Sequence, residues 1–241
     1  MGRVKIAKKS TFIDMTAMSD VTVLLLTFFM LTSTFLQKEP VTVITPASIS
    51  DEKVQETNVA QVLVSPKGEV WISMNNDTAQ AWSNDKMRAA LLQKVSDEYN
   101  KIHPKEDQQI HFTEDQKFAF SKLSTFGVPL KDMGEFLDLY YQPEGQTAQD
   151  KWMAGEDPDH VSGIPISWNR DENRPNEFQL WIKALRQTEN ENLAAAIKSG
   201  TGIAIKADQD TNFGIIRMVM ENLQTIRQNK FTLLTALKSE E

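Results

Sequence analysis

Apolar positions recur along this chain with two clear periods and one unbroken run. Residues 17–36 form the run, nearly free of charge, with ten of its twenty positions Val, Leu or Phe. As a helix rising ~1.5 Å per residue it reaches roughly 30 Å, the thickness of a bilayer's hydrocarbon core. The run predicts one transmembrane helix over 17–36. Further on, "AQVLVS" (60–65) and "EVWISM" (69–74) are β-rich runs joined by Pro66, Lys67 and Gly68, which predicts a hairpin. Residues 86–101 then take the helical period, with Met87, Ala90, Leu91 and Val95 at helical spacing and Asn84 or Asp85 available as N-cap. Toward the end, 202–207 reads as a strand. A helix capped by Asp210 or Thr211 places Ile216, Val219, Met220, Leu223 and Ile226 on one face, and 231–237 supplies the next strand.

Between these parts, 104–176 reads as an insertion. It holds 14 acidic and 7 basic residues, so its charge of -7 accounts for the net charge of the whole chain. Residues 112–139 show helical periodicity with a break at 127–129, which predicts two short helices, and 176–187 is an amphipathic helix bearing Phe178, Trp181, Ile182 and Leu185 on one side. The expected fold is therefore a single N-terminal transmembrane helix followed by an α+β domain, with helices on one face of a small sheet and a helical insertion. Its expected limits are a cytoplasmic segment 1–16, the span 17–36, a linker 37–58 with a strand-forming stretch, and a domain 59–241. The acidic insertion is expected to project, either as a solvated surface or toward a basic partner.

Composition narrows the function. A net charge of -7 and a pI of 5.1 argue against a binder of nucleic acid. The chain has no cysteine, which removes thiolate metal sites and cysteine nucleophiles. His103, His111 and His160 lack metal-ligand spacing, no cofactor is implied, and no nucleophile elbow, phosphate loop or dinucleotide fingerprint is present. Asp208 and Asp210 look like a carboxylate pair, but in a strand-to-helix turn capping is the sufficient explanation. The outer domain reads as a binding module, not an enzyme. The mean hydropathy of -0.40 makes the N-terminal apolar run a local feature that needs a local explanation.

Arg3, Lys5, Lys8 and Lys9 precede that run and only Lys38 closely follows it, so the positive-inside rule puts the N-terminus in the cytoplasm and the domain outside, in the periplasm of a two-membrane bacterium. A cleaved signal peptide is disfavoured, since Asp20 separates the basic stretch from the apolar core and no Ala-x-Ala site follows Phe35. Asp20 costs ~2.5 to 3.5 kcal/mol at mid-depth, against ~0.3 to 0.6 kcal/mol gained by each Val, Leu or Phe, so insertion survives it. Asp20, Thr27 and Thr34 recur every seven residues and share nearly one face. The bland account is that the threonines bond back to the helix and Asp20 reaches the interface. The functional account is an ionisable group linked to ion movement, which a single helix cannot enclose without partner helices.

At this point the residues resemble the ExbD/TolR family, subunits of proton-driven inner-membrane motors. "DMTAMSDVTVLLLTFFML" (14–31) is similar to the family's polar lead, intramembrane Asp and apolar span. "VTVITPAS" (41–48) is similar to its extended stretch outside the membrane, and "GTGIAIKADQDTNFGIIRMVMENLQTIRQNKFTLLTAL" (200–237) to its closing strand, helix and strand. The long middle looks like the enlarged Bacteroidetes-type members. Ala17, Ser19 and Thr45 depart from the common pattern, which bears on fine gating geometry and leaves the acid in place.

The resemblance implies that Asp20 is the proton-translocating residue, with Thr27 and Thr34 lining or packing its path. It implies ring partners of the ExbB/TolQ/MotA type, a homodimer of such helices inside the ring, and a TonB-like protein as the recipient of work. Val41, Val43 and Pro46 lie in a candidate partner-binding strand, formed by addition to a sheet edge. The alternatives are a TolR-like subunit of a Tol-Pal envelope motor and a membrane-anchored scaffold with no proton role.

Overall fold

The computed structural model describes residues 15–32, 39–48, 59–75, 81–189, 191–234 and 236–237. Contacts divide the chain into two units, Met1–Lys38 and Glu39–Glu241. The described part of the first unit is one helix, α1 (Met15–Thr32). It starts two residues before the expected span, and residues 33–36 of that span lie outside the described residues. Among the described residues no helix is long and apolar enough to cross a membrane; in α1 the apolar run is diluted by Ser19, Asp20, Thr22, Thr27 and Thr32.

The second unit runs β1 (Ala47–Ser48), β2 (Val59–Val64), β3 (Val70–Asn75), α2 (Ala81–Ile102), α3 (Glu114–Lys122), β4 (Thr125–Phe126), α4 (Met133–Asp138), α5 (Gly145–Met153), α6 (Glu177–Arg186), α7 (Glu191–Ser199), β5 (Ile203–Ala207), α8 (Phe213–Thr225), β6 (Thr232–Leu233) and β7 (Ala236–Leu237). A mixed sheet has the order β4-β3-β2-β5-β6. The hairpin β2–β3 is antiparallel, with Val62 opposite Ile72, and β5 joins β2 in parallel, with Val62 opposite Ile205. Because side chains alternate across a strand, this register puts Val62, Ile72 and Ile205 on one face. That face meets Leu91, Leu92 and Val95 of α2, Trp181 and Leu185 of α6, and Val219 and Leu223 of α8 in one hydrophobic core. Each such buried side chain contributes ~1.5 to 3 kcal/mol relative to exposure. The domain is α+β, as its periods predict, and its sheet is mixed.

Several local expectations change. Helix α2 begins at Ala81, so Asn84 and Asp85 lie inside it rather than capping it. The N-cap of α8 is Asn212, whose side chain accepts the Gly214 N–H at 2.8 Å. Thr211 lies one position before that cap, and its Oγ1 donates to the Ser65 carbonyl at 3.2 Å. The last strand is short and broken into β6 and β7, which pair with different partners. Helix α6 keeps its expected place through a capping box between Asn176 and Gln179.

The segment 104–176 is no satellite. Its predicted pair of helices appears as α3 and α4, but the break between them includes β4, which pairs with the edge of the hairpin through Phe126 opposite Ile72. Phe120, Phe126 and Trp181 pack in a triad with ring centroids 4.5–5.7 Å apart, and Phe136 meets Trp152 edge-on at 5.5 Å. All five belong to the same core as the sheet. Most of its acidic residues face solvent while Phe112, Phe120, Phe126, Phe136 and Trp152 are buried, so charge alone misrepresents a segment that packs inward.

Candidate functional site

The sequence places its candidate chemistry on α1 and on the connector that begins the second unit. On α1, Asp20 is exposed and has no hydrogen-bond or ion-pair partner among the described residues. Seven positions on, Thr27 falls on nearly the same face. Its Oγ1 donates to the Leu24 carbonyl at 2.9 Å, and Ser19, Thr22 and Thr32 bond back in the same way to Met15, Ser19 and Phe28 at 2.7–2.8 Å. Those hydroxyls are thereby satisfied within the helix, so they can face an apolar medium at little cost. Thr34 lies outside the described residues, as do Arg3, Lys5, Lys8, Lys9 and Lys38. The apolar side chains of α1 point outward all round: Val21, Leu24, Leu25, Leu26, Phe28 and Phe29 are exposed, and Leu31 is 86% exposed. Exposed apolar side chains in this number mark a surface for contact with protein or lipid.

The described part of the connector, 39–48, lies on the second unit's own surface. Val43 is buried, Val41 half-buried, and Ile44 and Pro46 exposed. The Ile44 N–H donates to Asp208 Oδ2 at 2.8 Å, and Ile44 returns its carbonyl to the Gln209 N–H at 2.8 Å. Lys206 Nζ binds both carboxylate oxygens of Glu39, at 2.5 and 2.8 Å. A short parallel pair then joins Ala47 to Ala236 and Ser48 to Leu237. Val41, Val43 and Pro46 thus precede the strand instead of forming it; the pairing sits at 47–48.

Asp208 is the residue that sequence reasoning misjudged. It is buried and caps no helix: Oδ2 holds the connector and Oδ1 accepts the Asp210 N–H at 2.9 Å. Ile44 and Asp208 are 164 positions apart, so no local pattern announces the contact.

No group of three or more metal-ligating side chains occurs among the described residues. His103 Nδ1 donates to the Tyr99 carbonyl at 3.0 Å, His160 sits 2.9 Å from Asp157, and His111 is exposed.

Compared with known families, residues 7–125 match the model described as "Biopolymer transport protein ExbD/TolR". The match takes in α1, the connector, the hairpin, α2 and α3, and stops as β4 begins. No curated protein and no solved structure matches the chain.

Proposed function

From a chain that belongs to the ExbD/TolR family through residues 7–125, we propose an ExbD-like subunit of an inner-membrane motor that couples inward proton flow to work on a TonB-like protein. The supporting observation is a carboxylate, Asp20, without a partner among the described residues, on a helix whose apolar side chains face outward all round. Around such a helix, ring subunits of the ExbB/TolQ type and a second copy of α1 cover the apolar surface and leave Asp20 facing a protein interior. Residues 17–36 cross the inner membrane with the N-terminus in the cytoplasm and the domain in the periplasm. Asp20 is neutralised from the outer side, the neutral helix turns against its ring, and the proton leaves inward. Each charge crossing supplies ~2.3 kcal/mol per 100 mV. Thr27 and Thr34 pack along the path; the back-bonded Thr27 hydroxyl serves this as a low-polarity surface.

In this reading the connector engages the work-receiving partner through Val41, Val43 and Pro46. Val43 is buried against the chain's own domain, so engagement requires the connector to leave Asp208. The subunit works by binding and movement, not catalysis.

The test is Asp20→Asn in cells. Energised outer-membrane uptake should fall to the level of a deletion strain while the protein accumulates normally and co-purifies with its ring subunits; normal uptake at normal protein level overturns the proposal. Loss of envelope integrity with uptake intact would identify a TolR-like subunit instead.

A further inference from the structure

Where the end of α2 meets elements beyond the family match, the second unit holds a cavity of about 660 Å³, bounded also by the turn at 129–132, the extended stretch 165–167 and the start of α6. That volume is in the range of small-molecule sites. Its apolar walls come from Ile102, Pro165, Ile166 and Leu180. Prolines in the wall pre-set the backbone, so less order has to be imposed when a ligand enters.

Its polar groups carry opposite charges at different exposure. The less exposed is Glu177, partly buried, with one oxygen accepting the Leu130 N–H at 2.9 Å. The other oxygen has no hydrogen bond or ion pair among the described residues. Burial is the largest influence on this carboxyl and pushes its pKa up, with Asp132 acting in the same direction, while the Leu130 N–H and the nearby Lys131 and His103 oppose it. A desolvated carboxylate of this kind is stabilised by a cationic donor brought to it. Beside it stands Tyr99, whose ring is stacked on His103 at 4.2 Å and whose phenol is raised by burial and then by the Glu177 charge. His103 spends Nδ1 on the Tyr99 carbonyl, which leaves Nε2 for a ligand. Lys131 and Arg174 are the exposed cations of its lining; neither makes a close ion pair among the described residues, and the Lys131 charge is felt by Glu177.

Unpaired surface cations are ordinary by themselves. Here two of them border a cavity whose lining also carries the opposite charge. A simple cation would leave them unused, and a simple anion would have to sit against Glu177. Only a ligand with an ammonium at one end and an anion at the other meets both, and the volume exceeds what a single amino acid needs. We propose that this cavity binds a short zwitterionic peptide, with its ammonium at Glu177 and its terminal carboxylate between Lys131 and Arg174.

The experiment uses the full chain in detergent micelles and an equimolar library of free dipeptides, detected by saturation-transfer NMR and followed by calorimetry on the strongest binder. That binder is expected to lose at least tenfold in affinity when N-acetylated and at least tenfold when C-amidated. Glu177→Gln, which keeps an acceptor for the Leu130 N–H, should abolish the first discrimination only. The surface double variant Lys131→Ala/Arg174→Ala should abolish the second only. The proposal is overturned if no free dipeptide gives saturation transfer. It is overturned equally if the three forms bind alike to the parent chain, or if both variants, folded by circular dichroism, discriminate as the parent does.

Discussion

The Asp208 carboxylate accepts the Ile44 N–H at 2.8 Å and so ties the connector to the turn after β5. Its other oxygen holds the Asp210 N–H, so one buried side chain satisfies two backbone donors. Asp208→Ala leaves both without their acceptor, at a cost of about 1 to 3 kcal/mol for each one that stays buried. Amide exchange at Ile44 and Gln209 should accelerate more than exchange in β2, as measured by hydrogen-exchange NMR. Unchanged protection at Ile44 would show that the connector is held by Lys206 and Glu39 instead.

Arg88 is the second buried charged group that organises backbone. Its guanidinium donates to the carbonyls of Met74 at 2.9 Å and of Leu123, so α2 is stitched to the end of β3 and to the loop after α3. Burial lowers its pKa, and Asp85 partly offsets this. Arg88→Met removes the donors and leaves carbonyls to find water, and should lower unfolding free energy by at least about 2 kcal/mol in urea titration. Arg88→Lys should recover less than half of that loss, because an ammonium cannot span carbonyls set for a planar fork.

His160 should make stability depend on pH. Its bond to Asp157, 2.9 Å away, raises the imidazole pKa above its ordinary 6.5, with Glu135 at 3.7 Å adding to the effect. The same bond lowers Asp157 below its ordinary 3.8. A raised histidine stabilises fully below 6.5 and loses that contribution as pH rises through its folded value; a lowered aspartate stabilises above 3.8 and loses it as pH falls through its own. The urea midpoint should therefore fall as pH rises above 6.5 and through the raised value of the folded histidine, and fall less in His160→Gln. An NMR titration midpoint for His160 at or below 6.5 would contradict this.

Gly127 follows β4 directly, where the chain crosses Trp71. A Cβ there would lie 2.1 Å from Trp71 Cδ1 and 3.0 Å from its Cα, and neither a buried indole ring nor backbone can yield cheaply. Gly127→Ala should cost about 1 to 3 kcal/mol or more, read as a lower thermal midpoint. Gly134→Ala is the control, since its nearest neighbour is the Gln116 amide nitrogen at 3.4 Å.

What could be read in the sequence was what is local. The hairpin at 59–75, the closing strand and helix, the helix over 177–186 and the apolar stretch around Asp20 each carry their own period or cap within a dozen or so residues, and the structure has them within a few positions. Long-range choices left no such trace. Whether 104–176 projects or packs was settled by Phe120, Phe126, Phe136 and Trp152 meeting a core built by residues far away in the chain. Its acidic count pointed the other way. Asp208 was legible as a turn carboxylate, yet its partner was chosen by where the connector crosses the β5 turn, and Glu177 became a cavity wall only because α6 docks beside the end of α2. Periodicity and capping act through bonds a few residues long, so the sequence alone determined the elements and the acid on its apolar helix. Burial and pairing act through space, so only the tertiary structure decided which charges lost their water and which partners they received.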